Sequence, residues 1–195
     1  MATATQQVDR IKSIWGEHLE VANALPGLAS AVSNAIDIIY TSMVAGGLLI
    51  LAGNGGSAAD AQHIAAELTG RFFIERRPFR ALALHGNSSS VTAVGNDYGF
   101  EHVFARELNA HARPGDVLLA ISTSGNTLNI LRAIEAARQC KVKVIGMTGE
   151  SGGKMATACD LCLRVPSKST PRIQEMHITI AHTICELLEE RLVGA

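Results

Sequence analysis

Residues 48–68, LLILAGNGGSAADAQHIAAEL, bring a glycine turn, a hydroxyl, an imidazole and a carboxylate into one short stretch. His63 and Glu67 stand four residues apart, so on a helix they project from one face. An imidazole and a carboxylate at that spacing form a general acid/base couple, or half of a divalent-metal site. A solvated helix face is the plainer reading of such a pair, and the pair alone does not choose.

A second stretch points to a different chemistry. Ser122-Thr123-Ser124-Gly125-Asn126-Thr127 lies between the aliphatic run VLLAI (117–121) and the amphipathic LNILRAIEAAR. Capping a helix takes one hydroxyl. Four of them around a glycine, beside free amides at a positive helix start, suit a phosphate monoester. Gly53-Asn54-Gly55-Gly56-Ser57 also joins an aliphatic run to a helical pattern. It is followed by no Gly-Lys-Ser/Thr, and its glycines are wrongly spaced for a dinucleotide fingerprint, which leaves close approach of the backbone to a ligand. Near the C-terminus Gln174 and His182 are eight residues apart, about 80° around a helix, and can address one pocket. Glu175 and His177 compete with them, and local sequence does not rank the four.

The elements that must position these groups follow from the apolar rhythm. Residues from about 7 to 46 read as two helices broken at Leu25-Pro26-Gly27. From 47 onward, aliphatic runs at 48–52, 81–84, 117–121, 142–147 and 161–165 alternate with helical segments. Runs apolar at nearly every position predict strands buried on both faces, hence a parallel sheet covered by helices. The sequence predicts a single α/β domain over 1–195. It comprises a helical N-terminal arm (1–46) and a doubly wound, five-stranded core (47–195) closed by a long helix from Pro171. In such a sheet ligands collect at the carboxyl ends of strands. The segment Gly95-Asn96-Asp97-Tyr98-Gly99 is expected there as a loop, with Gly53–Ser57 and Ser122–Thr127.

Composition removes other classes. At 47% hydrophobic, 18% charged and net charge −1, the chain carries no electrostatic footprint for nucleic acid. The run Glu75-Arg76-Arg77 reads as a solvated loop. No apolar stretch reaches membrane-spanning length and no export signal is evident, so a cytoplasmic protein with reduced thiols is expected. Cys159-Asp160-Leu161-Cys162 has no second pair and reads as packed thiols. His85, His102 and His111 are expected to be structural or exposed.

Taken in order, GNGGSAADAQHIAAEL, VTAVGNDYGFEHVFARE, ISTSGNT, MTGESGG and RIQEMH resemble the sugar isomerase (SIS) domain family, and within it the phosphoheptose isomerases. The resemblance spans residues 30 to 192 and implies a flavodoxin-like fold. It also implies a homotetramer with active sites between subunits and N-terminal helices in the assembly. Its implied reaction is the aldose–ketose isomerisation of sedoheptulose 7-phosphate through an enediol, opening ADP- or GDP-heptose biosynthesis. By resemblance, Asn54, Gly55, Gly56 and Ser57 form the substrate loop and Asn96 and Asp97 contact the sugar. Ser122, Thr123, Ser124 and Thr127 hold the phosphate, and Gln174 joins the substrate site. Glu67 and His182 transfer protons, and His63, Glu67, Gln174 and His182 match a zinc set, one ion per subunit. Two alternatives stand beside this: an isomerase or sensor for another sugar phosphate, and a noncatalytic adaptor like the DnaA initiator-associating protein. The adaptor branch lacks the carboxylate and late histidine that this chain has at 67 and 182.

Overall fold

A computed structural model describes residues 3–194. Five strands form one parallel sheet: β1 (Leu49–Ala52), β2 (Ala81–Ala83), β3 (Val117–Ile121), β4 (Lys143–Thr148) and β5 (Leu161–Arg164). Their spatial order is β2-β1-β3-β4-β5. Leu49 pairs with Val117 and Ala52 with Ala120 across β1 and β3, the two central strands that carry the ligand loops. The order reverses between these strands, which opens a crevice at their carboxyl ends.

Successive strand residues point to opposite layers, which is why both must be apolar. Leu49, Leu51, Leu119 and Ile121 pack against α2 (Ala29–Val44), α3 (Gly56–Thr69) and α8 (Thr170–Val193) through Ile36, Ile39, Ile64, Leu68, Ile180 and Ile184. Ile50, Ala52, Leu118 and Ala120 pack against α5 (Val103–His111) and α6 (Leu128–Gln139) through Phe104, Leu108, Ile130 and Ile134. Fully burying each such large side chain is worth about 1.5–3 kcal/mol, which ties α3 and α8 firmly to one face.

Several boundaries differ from the sequence expectation, each for a local reason. The first helix, α1 (Ala4–Ala24), starts earlier than residue 7 because Thr3 and Gln6 form a reciprocal capping box. Leu25–Leu28 is a 3-10 turn, so the break at Pro26 is present but narrow. The loop expected at Gly95–Gly99 is instead the end of α4 (Ser88–Tyr98). Asn87 caps it by accepting from the Ser90 amide at 3.2 Å, and one internal glycine costs only about 1 kcal/mol. The chain breaks at Gly99, where φ is +93°.

Cys159 and Cys162 are free thiols around the bare Gly146 of β4, on either side of the α7 (Met155–Ala158) to β5 junction. Burial pushes the Cys159 thiol up to about 12, with Cys162 and Asp160 adding to the shift, so it stays protonated and packed. The solvated reading of Glu75-Arg76-Arg77 fails at its centre: the Arg76 side chain is 4% exposed and pairs with Glu189. Among the described residues no helix is long and apolar enough to cross a membrane.

Candidate active site

The turn after β1 is shaped by glycine. Gly55 has φ +56° and occupies the cap position of α3 without any side-chain cap. A Cβ on Gly56 would sit 2.6 Å from Gln174 Nε2, so a side chain here would push the α8 amide away from this backbone. Ser57 is buried behind it. Asn54 is locked to Asn129 of α6 by two reciprocal amide hydrogen bonds of 2.9 Å each.

The turn after β3 is built as a cradle. Ser122 is buried and its hydroxyl meets that of Thr127 at 2.8 Å. Thr127 is the cap residue of α6, yet its side chain makes no capping bond. Its hydroxyl is turned to Ser122 instead, and the first-turn amides of α6 are left free for an anion. Gly125, at φ +66°, packs its Cα face against the Gly152 carbonyl. Asn126 ties the two loops by donating to the Ser124 carbonyl and accepting from the Lys154 amide, each at 3.0 Å.

These turns share one cavity of about 320 Å³, lined by Asn54–Ser57, Ile121–Thr123, Thr127, Thr170 and Gln174. The N-termini of α3, α6 and α8 all open on it, and none has a side-chain cap. All three helix starts lend positive potential. The free first-turn N–H donors come chiefly from α6, because the Ser57 and Ala58 amides of α3 are paired with the Asn54 and Gly55 carbonyls and Pro171 of α8 has none. A second cavity of about 370 Å³ continues past Thr123, Ser124 and Thr170 to Lys168 and Glu150.

The titratable group sits along the seam between α3 and α8. His63 Nε2 lies 2.9 Å from His182 Nε2 and 3.3 Å from Glu67 Oε1. The rings meet edge to face at 5.1 Å, and Phe72 packs on the other side of His182 at 5.7 Å. Glu67 is the most shielded of the acid and its partner, at 23% side-chain exposure against 46% for His63. Residues on different helices, 119 apart in sequence, therefore form one acid/base cluster. Gln174 precedes His182 by two turns, about 12 Å along α8, so the cradle and the cluster lie along one seam.

The cluster also has the donor types of a zinc site. Among the described residues, however, no group of three or more His, Cys, Asp or Glu is set out as metal ligands. The two Nε2 atoms share a hydrogen bond, so one ring donates its proton to the other. A cation there would displace that shared proton, and Glu67 Oε1, 3.3 Å from His63 Nε2, is the nearest carboxylate oxygen.

Two groups escaped the sequence reading. Asp60 lies one turn before His63, and its Oδ2 is buried without a partner. Burial raises its pKa, while charge on His63 and His182 pulls the other way. The spacing 60, 63, 67 places it on the same helix face, which was the available signal. Asn129, 3% exposed, gave none, because nothing local marks an asparagine one residue into α6 as a partner for Asn54. The competitors on α8 are now ranked. Glu175 is engaged by His18 and Arg172, and His177 is buried against the Thr148 carbonyl. Asn96 and Asp97 are exposed at the end of α4, bonded to each other at 2.8 Å, and do not line the cavity of this chain. His85 holds the Ala58 carbonyl at 2.7 Å, a structural task.

Comparison with known proteins adds an independent line. A family model described as SIS domain matches residues 19–149. The phosphoheptose isomerase of Rhodospirillum rubrum is 58% identical over 184 residues, covering 94% of this chain and 98% of that protein. That of a Geobacter species is 48% identical over 186 residues, covering 95% and 97%. The solved phosphoheptose isomerase of Neisseria gonorrhoeae superposes with a TM-score of 0.90 at 39% identity, over 94% of this chain and 99% of that one.

Proposed function

This chain belongs to the phosphoheptose isomerase family of SIS-domain proteins, and from that premise we propose that it interconverts sedoheptulose 7-phosphate and D-glycero-D-manno-heptose 7-phosphate. The observation that carries the reading is the convergence of Glu67, His63 and His182 on the seam that leads to an anion cradle.

The cradle takes the phosphate. Ser122, Thr123, Ser124 and Thr127 supply hydroxyls, and the uncapped amides of α6 add charge complementarity. Asn54, Gly55, Gly56, Ser57 and Gln174 flank the sugar. Asn96 and Asp97, exposed outside this chain's cavity, would meet it only from the α4 of a neighbouring subunit. In the ketose the Glu67 carboxylate removes a C1 proton. The C–H electron pair becomes the C1–C2 double bond, and the carbonyl oxygen on C2 takes a proton from His182. The enediol then returns its O1 proton to His182 while Glu67 delivers a proton to C2, leaving the aldose. His63 shares a hydrogen bond with His182 at 2.9 Å, and the partly buried Asp60 lies one turn before His63 on α3. Zinc held by His63, Glu67 and His182 with Gln174 is part of the reading, and when bound would polarise the sugar carbonyl. Were zinc held there, Glu67 would either serve both the ion and the carbon proton or yield the base role.

The proposal includes a homotetramer, and α1 supports self-association. No residue of this helix is buried, and Val8, Ile11, Trp15 and Leu19 form an exposed apolar stripe, Trp15 at 66%. Stripes of that size mark an association surface, which supports a homotetramer with active sites near subunit contacts. Action in the cytoplasm belongs to the same proposal. Purified protein incubated with sedoheptulose 7-phosphate and followed by NMR tests the reaction. The aldose 7-phosphate should accumulate, and five- and six-carbon ketose phosphates should react far more slowly. No aldose at any enzyme concentration would refute the assignment.

A further inference from the structure

The segment returning from α3 to β2 hides a buried ion pair. Glu189 and Arg76 are 1% and 4% exposed at their side chains and meet at 2.9 Å. Glu189 also accepts from the amides of Phe72, Phe73 and Ile74 at 2.9, 2.6 and 2.8 Å. Burial alone would raise this carboxyl, but the three amides and the guanidinium outweigh it and hold it below the usual carboxylate range. Arg76 donates to the carbonyls of Glu67, Leu68 and Gly70 at 3.0, 2.9 and 2.9 Å, and its guanidinium stacks on Phe79 at 3.9 Å. Those carbonyls belong to the last turn of α3 and its Gly70 cap, where backbone acceptors lack helical partners; the Leu68 carbonyl also accepts from the Phe79 amide at 3.0 Å.

The pair thus reaches both proton-transfer residues by separate routes. Through Arg76 it grips the backbone of Glu67 itself. Through the Phe72 amide it fixes the aromatic ring that packs on His182. Glu189 is seven residues beyond His182 on α8, two helical turns, so the fastening lies at the end of the same seam. We propose that Arg76 and Glu189 are positioning residues that hold the Glu67 carboxylate and the His182 imidazole at the separation proton transfer requires. The inference rests on the isomerase reading above. It extends that reading, because neither residue touches the phosphate cradle or the reacting carbons.

Arg76→Lys is the primary test. It keeps the buried charge, but an ammonium cannot reach Glu189 and three carbonyls at once as the five-donor fork does. Glu189→Gln is the companion, and each variant is assayed at a temperature where circular dichroism finds it folded. kcat should fall about 10- to 100-fold, as expected for misplacement of order 1 Å, while KM for sedoheptulose 7-phosphate stays within about twofold. The imidazole resonances of His63 and His182 should shift in both variants. Wild-type kcat in the folded Arg76→Lys protein, or a rise in KM matching the fall in kcat, overturns the proposal. If wild-type protein does not isomerise the sugar, the functional reading fails by itself. The positioning claim is then decided by the imidazole resonances: unshifted signals in both variants defeat it.

Discussion

Replacing Asn129 with alanine should damage substrate binding more than chemistry, although the residue lies behind the cavity. The Asn54–Asn129 pair contributes two amide hydrogen bonds of 2.9 Å, and Asn129 is 3% exposed. Truncation removes both bonds and leaves the half-buried Asn54 amide without donor or acceptor, at about 2 kcal/mol in all. For a chain of this length that loss lowers the unfolding midpoint by about 4–8 °C at fixed protein concentration. The same pair links the turn after β1 to the start of α6, so the cradle loses its spacing. KM for the sugar phosphate should rise about tenfold while kcat changes little, as for a loss of uniform binding. Thermal unfolding and steady-state kinetics on one preparation read both effects. A midpoint within 1 °C of wild type, as a rough limit, together with unchanged KM would refute the view that this pair sets the cradle.

Thr127→Val keeps the shape of the cap residue but removes the hydroxyl bonded to Ser122. KM should rise about tenfold, with the fold intact by circular dichroism. Gly125→Ala forces a side chain into φ +66° and onto the Gly152 carbonyl. It should cost about 2–3 kcal/mol and weaken sugar-phosphate binding, read by unfolding and by a rise in KM. His177 predicts an acid limit: burial lowers its pKa from 6.5 to about 4, the bond to Thr148 partly opposing. The unfolded chain gains this proton below 6.5 while the folded chain refuses it until about 4. Stability from this site is therefore full above the upper value and declines through that window as pH falls, by about 2 kcal/mol at pH 5. His177→Gln should flatten the difference between midpoints at pH 7.5 and pH 5, and parallel curves would contradict it.

The fold was legible because its strands are apolar at nearly every position, a pattern that a parallel sheet covered on both faces produces. The cradle was legible because Ser122–Thr127 concentrates hydroxyls where a cap needs one. The pairing of His63 with His182 was open to view only through family resemblance, since no local pattern links helices separated by most of the chain. Asn129 and Arg76 left no trace at all. An asparagine early in a helix and an arginine in a charged loop look solvated until the tertiary structure closes over them. Helix α4 was missed for a related reason: Gly95 and Asn96 suggest a turn, yet the Asn87 cap and packing beside α5 carried the helix through to Gly99.

The claim that two helices bring Glu67 and His182 to one sugar is best tested by isotope exchange. Sedoheptulose 7-phosphate in deuterium oxide, followed by proton NMR, should lose carbon-bound hydrogen and yield deuterated aldose with wild-type protein. With Glu67→Gln, both should cease while calorimetry still detects binding of the ketose phosphate. Continued exchange at the wild-type rate in that variant would contradict the account.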